Sequence, residues 1–239
     1  MMNASPELRR TIAFVSNNCW SLYNFRKHLL LHFLQQGYRV LAIASPDEYA
    51  GEINQLGCVY YKVEFRNSSI DPLSDLRIIS SLRKIYQEEK PAIIFHYVTK
   101  PCIYGSFVAG QLGLPSIALI TGLGYVFSGR KWLRYLVSYL FSKSLGSARE
   151  TWFLNQENAD FFVHHKIIPR AKTRILPGEG IDTSWFFPVS RPGTRNGFVF
   201  LMVSRLLWSK GIGIYMAAAK ILREKGINAE FRLLGKTEK

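Results

Sequence analysis

Apolar residues along this chain fall into two alternating textures, short continuous runs and longer stretches where they recur at steps of three and four. The runs at 11–16, 39–44, 58–63, 91–97, 115–121, 151–154, 173–176, 198–203 and 229–234 predict strands, most of them apolar or nearly so, with Arg174 interrupting the run at 173–176 and Glu230 and Arg232 the one at 229–234. Between them the helical spacing returns. In 21–36, Leu22, Phe25, Leu29 and Phe33 line one side and Gly37 supplies a stop. Further helices are predicted at 46–57, 72–89, 103–113, 130–148, 155–165 and 212–225.

Strands alternating with helices of this length argue for a parallel sheet, because parallel neighbours need a long crossover and crossovers are usually helical. The expected fold class is α/β, a Rossmann-like parallel sheet with helices on both faces. The stretch VSRPGTRNG has linker composition and places a boundary near Ser190. Residues 1–190 are read as one Rossmann-like domain. Residues 191–239 are read as a linker and the first βαβ unit of a second, truncated one, since about 45 residues cannot bury a core of their own. The GxGxxG fingerprint of a dinucleotide site is absent from the first loop, where SNNCWSLYNFR stands, so a NAD site is disfavoured.

Composition narrows the function classes. An apolar content of 48% with mean hydropathy near zero describes a globular chain. The 31 Lys and Arg against 17 Asp and Glu give a formal charge of +14, which favours anionic partners: nucleic acid, an anionic membrane or phosphorylated substrates. The cations are scattered through amphipathic helices and no nucleic-acid motif appears, so nucleic acid is not expected. Cys19, Cys58 and Cys102 are too few and too far apart for a disulfide framework or a zinc site, which fits a reducing cytoplasm. No apolar run reaches the roughly 18 residues of a membrane span. The chain is expected to be cytoplasmic, in solution or peripheral on a membrane surface.

Three features carry candidate chemistry. In FVFLMVSRLLWSKG an apolar strand runs into a turn bearing Arg205 and Lys210, either a phosphate grip at a strand end or a solvated basic loop. The helix at 130–148 crowds Trp132, Leu133, Leu136, Tyr139, Leu140 and Phe141 on part of its circumference, with Arg130, Lys131, Arg134 and Lys143 toward its ends. Its apolar side packs on the sheet, rests in a headgroup layer, or divides between the two. His96, at the end of the fourth strand, and Lys100 after it stand where an α/β crevice would be; a lone His among apolar neighbours is also a common structural residue.

Taken in order, five pieces resemble the family 4 glycosyltransferases: SLYNFR, YVTKPCIYGS, ITGLGYVF, LPGEGIDTSWFFP and VSRLLWSKGI. The similarity covers nearly the whole chain and is nearest to the bacterial branch that builds glycans on polyprenyl-diphosphate carriers. It implies the two-domain GT-B fold, retention of anomeric configuration and no metal or other cofactor. A nucleotide-sugar donor would sit mainly on the C-terminal domain, and a lipid-linked or glycan acceptor mainly on the N-terminal one. Arg205 and Lys210 match the family's R-x-x-x-x-K-G motif, which holds the donor diphosphate; fixed cations there stabilise the leaving group. Gly178, Gly180 and Asp182 match its G-x-G-[IV]-D cleft loop, although a tight turn into the linker would use the same residues.

The departures are equally specific. Thr121 and Gly122 occupy the region where many members carry a His near the sugar, so no catalytic His is carried over and His96 is the one candidate. Asn17 and Asn18 stand where many relatives have a glycine pair contacting donor phosphates; their amides would have to donate instead. The family's paired glutamates and much of its nucleotide site correspond to positions past Lys239. The expectation is therefore a transferase-type protein with little activity alone, completed by a separately encoded C-terminal half or reduced to a non-catalytic binding module at the membrane surface.

Overall fold

The computed structural model describes residues 10–65, 71–122, 131–189 and 197–235. Two compact units are present, one ending at Phe186 and one beginning at Phe187.

In the first unit the chain alternates as expected: β1 (Thr11–Asn18), α1 (Cys19–Gln35), β2 (Arg39–Ser45), α2 (Ala50–Gln55), β3 (Val59–Lys62), α3 (Pro72–Glu89), β4 (Ile93–Tyr97), α4 (Ser106–Gln111), β5 (Ser116–Ile120), α5 (Lys131–Leu145), β6 (Glu150–Phe153), α6 (Gln156–His164) and β7 (Thr173–Ile175). All seven strands join one parallel sheet in the order β3-β2-β1-β4-β5-β6-β7. The chain reverses direction across the sheet between β1 and β4. That switch point opens a crevice at the carboxyl ends of the strands.

Strand periodicity sorts the core into two layers. Ile12, Phe14, Val40 and Ala42 face one way and pack with Leu22 and Leu30 of α1 and Ile53 of α2. Ala13, Val15, Leu41 and Ile43 face the other way, under Ile78, Leu82 and Ile85 of α3 and Val108 and Ala109 of α4. On that second face Ala118, Ile120 and Phe153 meet Val137, Phe141 and Leu145 of α5 and Phe162 of α6.

Local chemistry sets the helix starts. The Asn18 carboxamide oxygen accepts from the Ser21 N–H, Asp71 accepts from the Leu73 N–H just before Pro72, and Asn155 accepts from the Asn158 N–H. Two expected helices differ. The one at 46–57 is confined to Ala50–Gln55, because Asp47 turns the chain by accepting from the N–H groups of Tyr49 and Trp20. The one at 103–113 starts earlier, as a π-helical turn over Pro101–Gly105 that runs into α4.

The second unit contains β8 (Phe198–Val203), α7 (Ile212–Glu224) and β9 (Ala229–Leu234), with β8 and β9 paired in parallel. The Tyr215 hydroxyl of α7 lies 2.9 Å from the Phe200 carbonyl and 3.0 Å from the Arg232 carbonyl, fastening the helix to both strands. Phe198, Leu201, Val203 and Leu234 are exposed. The linker residues 190–196 lie outside the described residues.

Candidate functional site at the carboxyl edge of the sheet

Arg26 organises the edge of the crevice. It follows Leu22 by one turn of α1 and precedes Leu30 by another, so it sits on the stripe facing the sheet and is only 5% exposed. A guanidinium in that position must be compensated. Its Nη2 pairs with the Glu179 carboxylate, and its central carbon lies 4.3 Å from the ring centroid of Tyr97, the last residue of β4. Burial raises the Tyr97 phenol well above its ordinary range, keeping it neutral under the cation.

Glu179 reaches Arg26 because the loop around it takes a path that side chains resist. Gly178 and Gly180 have φ of 119° and 79°, both in left-handed territory. Asp182 then closes the next turn: its Oδ1 accepts from the Ser184 N–H at 2.9 Å and the Ser184 hydroxyl at 2.6 Å, bonds that hold its carboxyl below the usual range. The structure thus brings Gly178, Gly180 and Asp182 into one loop beside α1.

Asn17 and Asn18, expected in the first loop, instead close β1, and both are used internally. Asn18 caps α1 through its carboxamide oxygen, and Asn17 accepts from the Ser16 hydroxyl at 3.3 Å. Both contacts use the carboxamide oxygens; the amide nitrogens are the donor groups that the expectation invokes. Lys100 donates to Asp75 of α3 at 2.8 Å with both side chains largely buried, which ties the π-helical turn to α3.

Between them, at the end of β4, Val98 has φ of 63°. A β-branched residue in that region is a genuine outlier, of a kind that collects at functional sites. Val98, Thr99, Thr121 and Gly122 line a cavity of about 210 Å³ floored by Ile120, Phe141 and Phe162. The rest of the TGLGYVFSG turn lies outside the described residues.

His96 does not open onto this cavity. It is fully buried, with Nε2 2.9 Å from the Tyr86 hydroxyl and Nδ1 3.2 Å from the Ser106 hydroxyl. Burial lowers its pKa to about 3, so it is neutral at physiological pH. Proton transfer to a substrate requires access that this arrangement does not provide, which corrects the catalytic expectation: His96 is a satisfied core residue.

In the second unit Arg205 follows β8, and Lys210 ends a 3₁₀ turn over Trp208–Lys210. Gly211, with φ of 85°, then admits the chain into α7. Both cations are exposed on the connection from the strand to the helix.

On α5 the structure splits the crowded side in two. Leu133, Leu140 and Phe141 belong to the core, whereas Trp132, Tyr135, Leu136 and Tyr139 point outward at helical spacing, Tyr135 being 67% exposed. The Arg134 guanidinium lies 5.8 Å from the Tyr135 ring centroid, and the Lys143 ammonium 5.6 Å from that of Tyr139. The helix carries no Asp or Glu. Arg130 and the side chain of Lys131 lie outside the described residues. Among those residues no helix is long and apolar enough to cross a membrane.

Sequence reasoning missed Arg26, Glu179, Tyr97 and Val98. A signal existed for Arg26, a charged residue on an otherwise apolar helical stripe. None existed for its partner.

Residues 11–146 match the family described as Glycosyl transferase 4-like. Among curated proteins, the chain is 26% identical over 240 aligned positions to the N,N′-diacetylbacillosaminyl-diphospho-undecaprenol α-1,3-N-acetylgalactosaminyltransferase of Campylobacter jejuni, covering 94% of this chain and 63% of that protein. It is 26% identical over 173 positions to an Escherichia coli UDP-Gal:α-D-GlcNAc-diphosphoundecaprenol α-1,3-galactosyltransferase, covering 68% of this chain and 44% of that one. The chain therefore spans less than two thirds of the length of either relative. Among solved structures, a glycosyltransferase from Rickettsia africae superposes with a TM-score of 0.65 at 13% identity, over 96% of this chain and 61% of that one. The glycosyltransferase of kitacinnamycin does so at 0.58 and 14%, over 95% and 66%. These likenesses establish the shared α/β fold. A family match across more than half of the 239 residues decides the rest: this chain belongs to the Glycosyl transferase 4-like family.

Proposed function

We propose that this chain is the acceptor-side part of a glycosyltransferase that moves a sugar from a nucleotide-sugar donor to a lipid-linked or polysaccharide acceptor in surface glycan biosynthesis. The observation that carries the reading is the similarity, over 94% of the chain, to a transferase acting on an undecaprenyl-diphosphate-linked acceptor. In the transfer, the bond between the anomeric carbon and the donor diphosphate breaks, a bond to an acceptor hydroxyl oxygen forms, and the hydroxyl proton is released. Arg205 and Lys210 are proposed to hold the departing diphosphate, in place of a metal. The strand end bearing Asn17 and the segments bearing Thr99, Thr121, Gly122 and Gly178–Asp182 would form the acceptor wall.

The outward stripe of α5 supports peripheral attachment at the cytoplasmic membrane face. Aromatic side chains would enter the headgroup layer while Arg134 and Lys143 meet anionic lipid. Donor binding is proposed to need a further polypeptide segment, continuous with this chain or separately encoded.

The test is transfer of radiolabelled sugar from a panel of nucleotide-sugars to a polyprenyl-diphosphate-linked acceptor. The chain is assayed alone and fused to the remaining C-terminal part of the Campylobacter relative. The reading expects little transfer alone and transfer in the fusion, with Arg205→Ala reducing it at least tenfold. A fusion that folds but transfers from no donor would refute the enzymatic reading, and an unaffected Arg205→Ala would return that residue to a solvated loop.

A further inference from the structure

β4 passes into a helical turn without an intervening loop. Tyr97 ends the strand, and the next carbonyl, that of Val98, already accepts the Cys102 N–H at 3.0 Å. One residue must therefore turn the chain, and Val98 does so with φ of 63°. Glycine takes that conformation freely, whereas a β-branched side chain crowds its own backbone there and persists only where neighbours over-determine it.

Those neighbours hold the turn from two sides. On its buried side the Cys102 thiol lies 3.3 Å from the His96 carbonyl and 3.5 Å from that of Leu119, and Gly105 packs against the His96 ring. On its half-buried side Lys100 and Tyr104, four residues apart, meet a single group, the Asp75 carboxylate of α3. The Lys100 ammonium donates to it at 2.8 Å, with the two side chains 16% and 14% exposed, and the Tyr104 phenol hydrogen-bonds it as well. A charge pair so buried adds little stability over apolar side chains of similar size, so what it supplies is position. Asp75 does not itself line the cavity of about 210 Å³ beside the turn, but Val98 and Thr99 do, together with Thr121 and Gly122. Rotation of Val98 to an extended φ would move Thr99 relative to Thr121.

We infer that Asp75 is a positioning residue for the acceptor wall: by holding Lys100 and Tyr104 it keeps Val98 in its left-handed turn and Thr99 at the cavity. Its effect on acceptor use rests on the transferase reading; its effect on the backbone does not.

The experiment combines Asp75→Ala with Lys100→Met, a double change that strands no charge. In the isotopically labelled chain, the one-bond Cα–Hα coupling of Val98, assigned by its loss in Val98→Gly, separates positive from negative φ. It is expected to move to the negative-φ value in the double variant. In the fusion to the C-terminal part of the Campylobacter relative, the same double change is expected to raise the acceptor KM by roughly fivefold or more with the donor KM unchanged. Adding Val98→Gly should recover most of that loss, because glycine holds the turn unaided, whereas a general loss of stability would only deepen. An unmoved coupling in the folded double variant overturns the inference, as does an acceptor KM that Val98→Gly does not restore. Where the double variant does not fold, Asp75→Glu, which keeps the charge and displaces the anchor by one methylene, is read in the same two ways. A fusion that transfers from no donor sinks the transferase reading, and the coupling still decides whether Asp75 holds the turn.

Discussion

Arg26 and Glu179, separated by 153 residues in sequence, form an ion pair at the carboxyl edge of the sheet, with the guanidinium lying over Tyr97. The pair joins the first helix to the loop that leads out of the unit. The partners are unequal, since the Arg26 side chain is 6% exposed and that of Glu179 is 24% exposed. Removal of the carboxylate strands a cation that water reaches poorly, whereas removal of the cation leaves a carboxylate that can turn to solvent. Glu179→Ala is therefore expected to destabilise the unit by about 3 kcal/mol, and Arg26→Leu by clearly less. Denaturant titration of both variants measures the order, which a purely solvent-exposed pair would not show. Amide exchange across 177–182 should rise in both.

Gly105 is required by close approach. A Cβ there would lie 2.3 Å from His96 Cδ2 and 2.4 Å from Nε2, inside the buried network with Tyr86 and Ser106. Those neighbours are held on both sides and cannot yield cheaply. Gly105→Ala should cost about 1–3 kcal/mol, against the small gain that Ala normally brings to a helix. Thermal unfolding of the variant distinguishes the two signs.

His96 makes the unit sensitive to acid. Its pKa is about 3 when folded, below the ordinary His value it regains on unfolding. Between those values the unfolded state binds more protons, so stability is fully present above about pH 6.5 and declines as pH falls toward 3. The slope from this residue approaches about 1.4 kcal/mol per pH unit below pH 6. Urea midpoints measured from pH 7 to 4.5 should fall more steeply in the native chain than in His96→Asn, which cannot titrate.

The α5 stripe predicts sedimentation of the chain with vesicles containing anionic lipid. Replacing Trp132, Tyr135 and Tyr139 together by Ser should abolish it with the fold intact, because all three side chains are exposed. Arg134→Ala and Lys143→Ala should each weaken binding by up to about 1 kcal/mol, roughly fivefold, and added salt should mimic them. Binding to neutral vesicles that salt does not change would point instead to burial of the aromatics alone.

Much of the fold was legible because strands of a parallel sheet are apolar throughout while their crossovers repeat every three or four residues, so period alone separates them. The apolar strand at 198–203 matches residue for residue, as does the one at 229–234, where Glu230 and Arg232 alternate with apolar neighbours. The start of α4 was less so: the chain enters it through a π-helical turn, whose spacing no helical period reports. The site was legible only in its loops. Gly178, Gly180 and Asp182 announce a turn, since left-handed backbone and short-range side-chain bonds are local matters.

What local sequence could not decide was the occupation of each polar group. His96 carries the same chemistry in a crevice or a core; only the positions of Tyr86, ten residues before it, and Ser106, ten after, make it a buried, neutral residue. Arg26 is out of place on its helix until the chain returns with Glu179. The α5 residues divide between core and surface only once the sheet beneath takes Val137 and Phe141 and leaves Tyr135 outside. The alternation of strands and helices, the punctuating glycines and the family motifs are written in neighbours a few residues apart. Which charges pair, which histidine is sealed and which aromatic faces stay open depend on groups that folding brings together from distant parts of the chain.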